Sequence, residues 1–266
     1  KTTAFSLQVD TELGDYSLTS ITAFREWENI EYREGDFTSI AGDSTQPVFG
    51  VPFQLHDVGP QTWRQFSQEV RIASPVGDKF DWQAGAFFWK MDSERNFTRD
   101  ASCQNNGGQL DQAIANYLDS NDIIANPTDT EVTDYIASEN ITCNANDILS
   151  ATAYMSTEFN NWALFGDGKY HFTDDFRLLF GLRYTDDEVS YTHHRVSNDP
   201  YGRRAVGVRP ATENTDFAGG TSNTNVSMKL GAQYDLGDAG MVYTTYSQGY
   251  KGPGFNVFYN MSANDT

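Results

Sequence analysis

The sequence predicts an all-β chain that crosses a membrane as part of an antiparallel β-barrel. Very short turns alternate with long polar loops, as in barrels whose turns and loops lie on opposite sides of the bilayer. The runs between them alternate apolar and polar residues, the period of two that a strand with two different environments requires. No stretch approaches the ~18 apolar residues of a membrane helix, yet aromatic residues make up 14% of the 266-residue chain.

The turns are Glu12 to Asp15, Pro75 to Asp78, Thr173 to Asp175 and Leu236 to Gly240, each rich in residues that favour tight reversals. The long connections run from about Asp36 to Pro60, Phe97 to Leu149 and Glu188 to Asn223. About eight strands lie between: 2 to 10, 16 to 34, 62 to 74, 79 to 96, 150 to 172, 176 to 190, 224 to 235 and 240 to 250.

In the first strand Phe5, Leu7 and Val9 form the apolar face. In the second, Tyr16 to Trp27, the apolar side changes partway, which a bulge would explain. Phe80, Trp82, Ala84, Ala86 and Phe88 define the lipid face of the fourth, and Trp162, Leu164 and Tyr170 that of the fifth. In the sixth, Leu178, Phe180 and Leu182 should meet lipid while Arg177, Gly181 and Arg183 face the lumen. Val226, Met228 and Leu230 mark the seventh; the eighth shows no clear lipid side. Tyr16, Phe80, Trp82, Tyr170, Phe172, Phe176 and Tyr234 sit beside the short turns, where an interfacial aromatic girdle is expected.

With the turns periplasmic, the first strand descends from outside and the last ascends to it. At least one further strand is therefore expected at each end, because an even-stranded barrel returns its termini to the periplasm.

Two cysteines, Cys103 and Cys143, share the second long loop and are expected to be bonded to each other in an oxidising compartment. Leu110 to Leu118 and Glu131 to Ala137 between them have helix-like spacing, which suggests a small folded cap.

The 37 acidic and 18 basic residues give a net charge of -19, which argues against nucleic acid as a partner. Acids gather around the long loops. They read as solvated faces compatible with the divalent cations that bridge lipopolysaccharide, or as a field that attracts cationic or metal-bearing solutes. His193 and His194 are adjacent on a strand, so they point to opposite faces and do not share an ion. No nucleophile and base arrangement, metal cluster or phosphate loop is evident; neither an enzyme nor a cofactor is expected.

Three phrases carry a family resemblance. Phe66-Ser67-Gln68-Glu69-Val70-Arg71-Ile72-Ala73-Ser74 followed by Phe80-Asp81-Trp82-Gln83-Ala84-Gly85 resembles a strand pair of TonB-dependent receptors. Trp162 to Gly166 with Phe176 to Asp186 looks like a second segment of that family, and Val242 to Asn256 is similar to a third, with Pro253 where glycine is common. The resemblance implies a bacterial outer-membrane importer with a 22-strand barrel, a plug inside it, and a periplasmic segment that engages TonB. Residues 1–266 would be a partial barrel, with plug, closing strands and TonB-contacting segment outside this sequence. The transported small molecule would be a scarce solute, most often a ferric siderophore. Trp27, Tyr32, Phe49, Phe53, Tyr117 and Tyr201, external aromatics, are candidate ligand contacts. A passive porin or small structural barrel, and a soluble β-sandwich binding domain, are the alternatives. The first would need periplasmic termini and the second a dry core on one strand face.

Overall fold

The computed structural model describes residues 1–34, 53–77, 79–103, 115, 118–119, 123–138, 148–197 and 215–262, without the side chains of 53–55, 101–103 and 148–149. Eight strands form one antiparallel sheet in sequence order: β1 (Thr2–Leu13), β2 (Tyr16–Glu34), β3 (Phe53–Ala73), β4 (Phe80–Cys103), β5 (Ile148–His171), β6 (Phe176–Ser197), β7 (Thr215–Asp235) and β8 (Met241–Ser247). Among the described residues β1 pairs with β2 alone and β8 with β7 alone, so the sheet is an open arc.

The turns use the predicted residues. Gly14 adopts φ 65° in the first, and Gly237 and Gly240 adopt 61° and 117° around a single 3-10 turn in the last. These are backbone conformations that glycine enters without a Cβ clash.

Register makes the two faces explicit. Phe5 pairs with Phe24, Phe24 with Phe66, Gln68 with Phe88, Phe88 with Trp162, Leu164 with Tyr184 and Tyr184 with Val226. Partners share a face, so these residues lie together on what is here called the outer face. All seven residues expected in the lower girdle fall on it. An upper girdle of Phe24, Phe66, Phe88, Trp162 and Tyr184 stands opposite, with Phe66 and Phe88 rings 6.3 Å apart and Trp162 and Tyr184 rings 5.3 Å apart. From Tyr16 to Phe24, Phe80 to Phe88, Trp162 to Tyr170, Phe176 to Tyr184 and Val226 to Tyr234 the interval is the same nine residues. That length matches the ~9 to 11 residues of a tilted membrane strand. Between the girdles the outer positions of β2 to β8 carry no charge. The eighth strand also resolves: Val242, Thr244 and Tyr246 share the outer face, opposite Tyr234, Ala232 and Leu230.

Two expectations are corrected. The β1–β2 and β2–β3 ladders run through Tyr16 to Trp27 without an inserted residue, so β2 has no bulge there. The apolar pattern breaks because Ser20 and Thr22 point outward. Thr22 Oγ1 donates to Gln68 Oε1 at 2.5 Å and Gln68 Nε2 to Ser20 Oγ at 3.0 Å, so these polar groups satisfy one another within the apolar band. The strands also extend well past the band on the loop side: β3 starts at Phe53, β4 reaches Cys103, β6 reaches Ser197 and β7 starts at Thr215. Each of the three predicted loops is shorter by those residues. In the second, helix α1 (Asp129–Ser138) forms beside a small core of Leu118 and Val132 packed with Ala115, Ile124, Tyr135 and Ile136. Glu131 accepts from the backbone N–H and hydroxyl of Thr128 at 2.8 Å each, a capping box that starts the helix.

β8 holds the wall for seven residues, against 12 to 24 in the other strands. The chain then turns inward, and residues 249–262 lie across the inner face of β6 and β4. Beneath this strap is the main buried core, with Phe97, Ala153, Val189, Tyr191, Tyr259 and Met261 all at or below 7% exposure.

Candidate functional site

Above the upper girdle the inner face carries two adjoining features. The first is a cavity of about 350 Å³ lined by Arg25, Trp27, Trp63, Gln65 and Met91. Register places it: Trp27 pairs with Trp63, and Arg25 with Gln65, itself opposite Met91. The Trp27 and Trp63 rings meet edge-on with centroids 5.8 Å apart. Among the described residues Arg25 makes no hydrogen bond or ion pair, which leaves a guanidinium beside two indoles and a thioether. A mostly apolar recess with one or two placed polar groups is the usual form of a small-molecule site.

The second feature is a cluster of arginines farther out. Asp57, 2% exposed, accepts from Arg99 Nε at 2.7 Å and Nη2 at 2.8 Å, and from Arg33 Nη2 at 2.8 Å. Arg95 pairs with Glu31 at 3.1 Å. All three guanidiniums stand 5.2 to 6.0 Å from the centre of the Phe97 ring, a cation–π arrangement. Burial alone would raise the Asp57 pKa, but hydrogen bonds from Arg99 and then Arg33 outweigh it and hold the carboxyl below its ordinary value. On β6, Arg195 donates from Nη1 to the carbonyls of Tyr259 at 2.7 Å and Met261 at 3.2 Å. His193 is fully buried beside it, its Nδ1 3.1 Å from the Thr215 hydroxyl. Burial, followed by the Arg195 charge, lowers its pKa and keeps it neutral. His194 lies on the outer face opposite Asp216, so the two histidines diverge as alternation requires.

Of the six aromatics expected as ligand contacts, Trp27 lines the recess. Tyr32 lies on the outer face, 75% exposed, and is not brought to Trp27. Phe53 opens β3 with its side chain outside the described residues; Phe49, Tyr117 and Tyr201 lie outside them altogether. Cys103 ends β4, its side chain and all of Cys143 again outside the described residues. Arg177 and Arg183 read from the sequence as lumen-facing, but Arg25, Arg33, Arg95, Arg99 and Arg195, which also occupy inward positions of their strands, are not singled out there. Asp187 points inward and accepts from Asn161 Nδ2 at 2.5 Å.

Comparison with known proteins places this geometry. The sequence profile of a family described as TonB dependent receptor-like, beta-barrel, matches residues 1–265. The pesticin receptors of Yersinia enterocolitica (serotype O:8 / biotype 1B) and of Yersinia pestis are each 31% identical over 110 residues, 41% of this chain and 14% of theirs. The crystal structure of the ferric yersiniabactin uptake receptor FyuA from Yersinia pestis superposes with a TM-score of 0.61 at 19% identity, covering 98% of this chain and 30% of that one. The chain therefore spans less than a third of that receptor's length.

Proposed function

Because this chain belongs to the TonB-dependent receptor family, with the β-barrel match running over residues 1–265 of an outer-membrane fold, we propose that it forms one arc of a larger barrel that imports a ferric chelate. The arc's open edges at β1 and β8 pair with further strands, since unpaired backbone groups in hydrocarbon cost several kcal/mol each. A plug fills the lumen and TonB supplies the energy through a segment outside this sequence. The outward charges just above the upper girdle, Arg64 with Glu26 at 2.8 Å and Lys90 with Glu158 at 3.0 Å, meet lipopolysaccharide at headgroup level.

The observation that carries the reading is the Trp27–Trp63 recess with the Arg25 guanidinium, which has no partner among the described residues. Two indoles accept a planar ring and the guanidinium accepts its anionic oxygens, which suits a ferric complex of an aromatic chelator. One similar protein is a receptor for the uptake of ferric yersiniabactin.

The test is titration of the outer-membrane receptor with a ferric tris-catecholate complex, followed by tryptophan fluorescence. Arg25→Ala and Trp27→Ala should each weaken binding about tenfold, or ~1.4 kcal/mol. Unchanged affinity in both variants would remove the recess from the reading. Uptake of the labelled complex should vanish in cells lacking TonB, and uptake that persists there would refute energised import.

The second long loop is closed on the external side by a Cys103–Cys143 disulfide, which stabilises the small helical cap between the cysteines. By the chain-entropy relation a loop of this size contributes roughly 4 kcal/mol. Intact protein mass should rise by two hydrogens on reduction, and both thiols should resist maleimide beforehand. Labelling of either without reductant would rule the bond out.

A further inference from the structure

The geometry points to the strap from Gly249 to Met261 as a displaceable latch, which occupies the arginine face with its own carbonyls and rings until an anionic, ring-bearing solute takes their place. This rests on the solute reading above and concerns how the same inner face is opened.

The strap's contacts are those such a solute would make. Two neutral carbonyl oxygens, of Tyr259 and Met261, sit on the Arg195 guanidinium. The Tyr259 ring lies 5.6 Å from Arg99 and 5.9 Å from Arg195, and 5.3 Å from the Phe97 ring. Guanidinium to oxygen and guanidinium to ring are the pairings by which arginine holds an aromatic oxyanion. An ionised acceptor makes hydrogen bonds roughly twice as strong as a neutral one, so exchange of carbonyl for phenolate or carboxylate is downhill at these donors.

Charge points the same way. Residues 249–262 contain one lysine, Lys251, and no acid. The strap thus meets the arginine face with neutral groups alone, beside the carboxylates of Asp57 and Glu31 that already pair with Arg33, Arg99 and Arg95.

The strap is anchored at both ends. At its near end the Tyr250 hydroxyl accepts from Asn223 Nδ2 at 3.3 Å, while Gly252 packs on the Asp187 carboxylate so closely that a Cβ would lie 3.1 Å from it. Gly254 just beyond has open space where a Cβ would be. The far end is held by the arginine contacts and by burial of Met261, 1% exposed. Backbone rotation at Gly254, where nothing crowds the chain, can part the far contacts while the near end stays fixed.

Methionine oxidation reports both halves of the idea in the unmodified receptor, because Met261 is buried at the strap's far end and Met91 lines the recess. Gallium(III) tris-catecholate serves as a redox-inert anionic probe and a neutral gallium(III) tris-hydroxamate as its comparator. During hydroxyl-radical footprinting with the anionic probe, Met261 oxidation should rise about tenfold while Met91 becomes protected; the neutral complex should leave Met261 unchanged. Arg195→Gln, or Tyr259→Ala if that variant folds poorly, should raise Met261 oxidation without any probe. Protection of Met91 with Met261 unchanged would overturn the latch and leave the solute reading standing. No change at either methionine would overturn the solute reading and the latch's trigger with it, and unchanged Met261 oxidation in both variants would show that the arginine contacts do not hold the strap.

Discussion

Replacing Phe180 by Arg will cost about 2 to 4 kcal/mol of folding stability in lipid, the range for an arginine on the lipid face near the bilayer midplane. Phe180 is the central residue of the nine-residue interval from Phe176 to Tyr184 and lies on the outer face, 39% exposed. It also stacks on Phe80 with centroids 5.5 Å apart and planes inclined by 16°. The two rings roof Gly168, where a Cβ would approach them to 2.7 and 2.9 Å. The substitution therefore removes a ring from a close-packed triple and places a cation where no outward charge exists in β2 to β8. Leu179→Gln, one residue away on the inner face, should cost less than about 1 kcal/mol. Equilibrium unfolding in phospholipid vesicles checks both. Equal losses for the two variants would mean that the faces have been assigned wrongly.

How much of this was legible in the sequence depended on what lay against each strand. Within the membrane interval, lipid on one side and water on the other impose alternation, and the faces of β4 to β7 follow from it directly. β2 misled because Ser20 and Thr22 face outward, tolerated through Gln68, a partner 46 residues from Thr22 that alternation alone does not reveal. Beyond the upper girdle both faces meet water, the alternation lapses, and the outer halves of β3, β6 and β7 read as loop although their ladders continue. Trp27 could be chosen as an exposed aromatic, but its partner Trp63 could not. Their pairing is fixed by register across a long connection whose length hides which residues meet. The basic inner mouth was masked by the chain's charge of -19, although once the register is known every one of its arginines falls on an inward position. The eighth strand was expected to end at residue 250, but nothing in the sequence told that the chain would return across β6 and β4.

The outermost polar cluster yields the second large effect. Asp57→Asn should destabilise the outer half of the β2–β4 wall by about 2 kcal/mol. A buried ion pair broken on one side loses ~3 to 5 kcal/mol, reduced here because the Arg33 side chain is 38% exposed and that of Arg99 17%. The Asn amide still fills the space, but it offers one acceptor where two arginines converge, and the two cations beside Phe97 are left closer to repulsion than to pairing. The asymmetry of such pairs gives a sharper check. Replacing Asp57 by Asn and Arg99 by Met together should cost less than Asp57→Asn alone, because the double variant no longer buries an unpaired guanidinium. Acid should act like the single substitution. The folded carboxyl titrates below its ordinary 3.8, so its contribution is complete above the unfolded value and is lost as pH falls through the lower folded one. The wild type should then lose stability below about pH 4 more steeply than Asp57→Asn, whose amide does not titrate. Parallel pH profiles for the two proteins, or a double variant weaker than the single by the full cost of Arg99→Met, would show that Asp57 does not tie these arginines together.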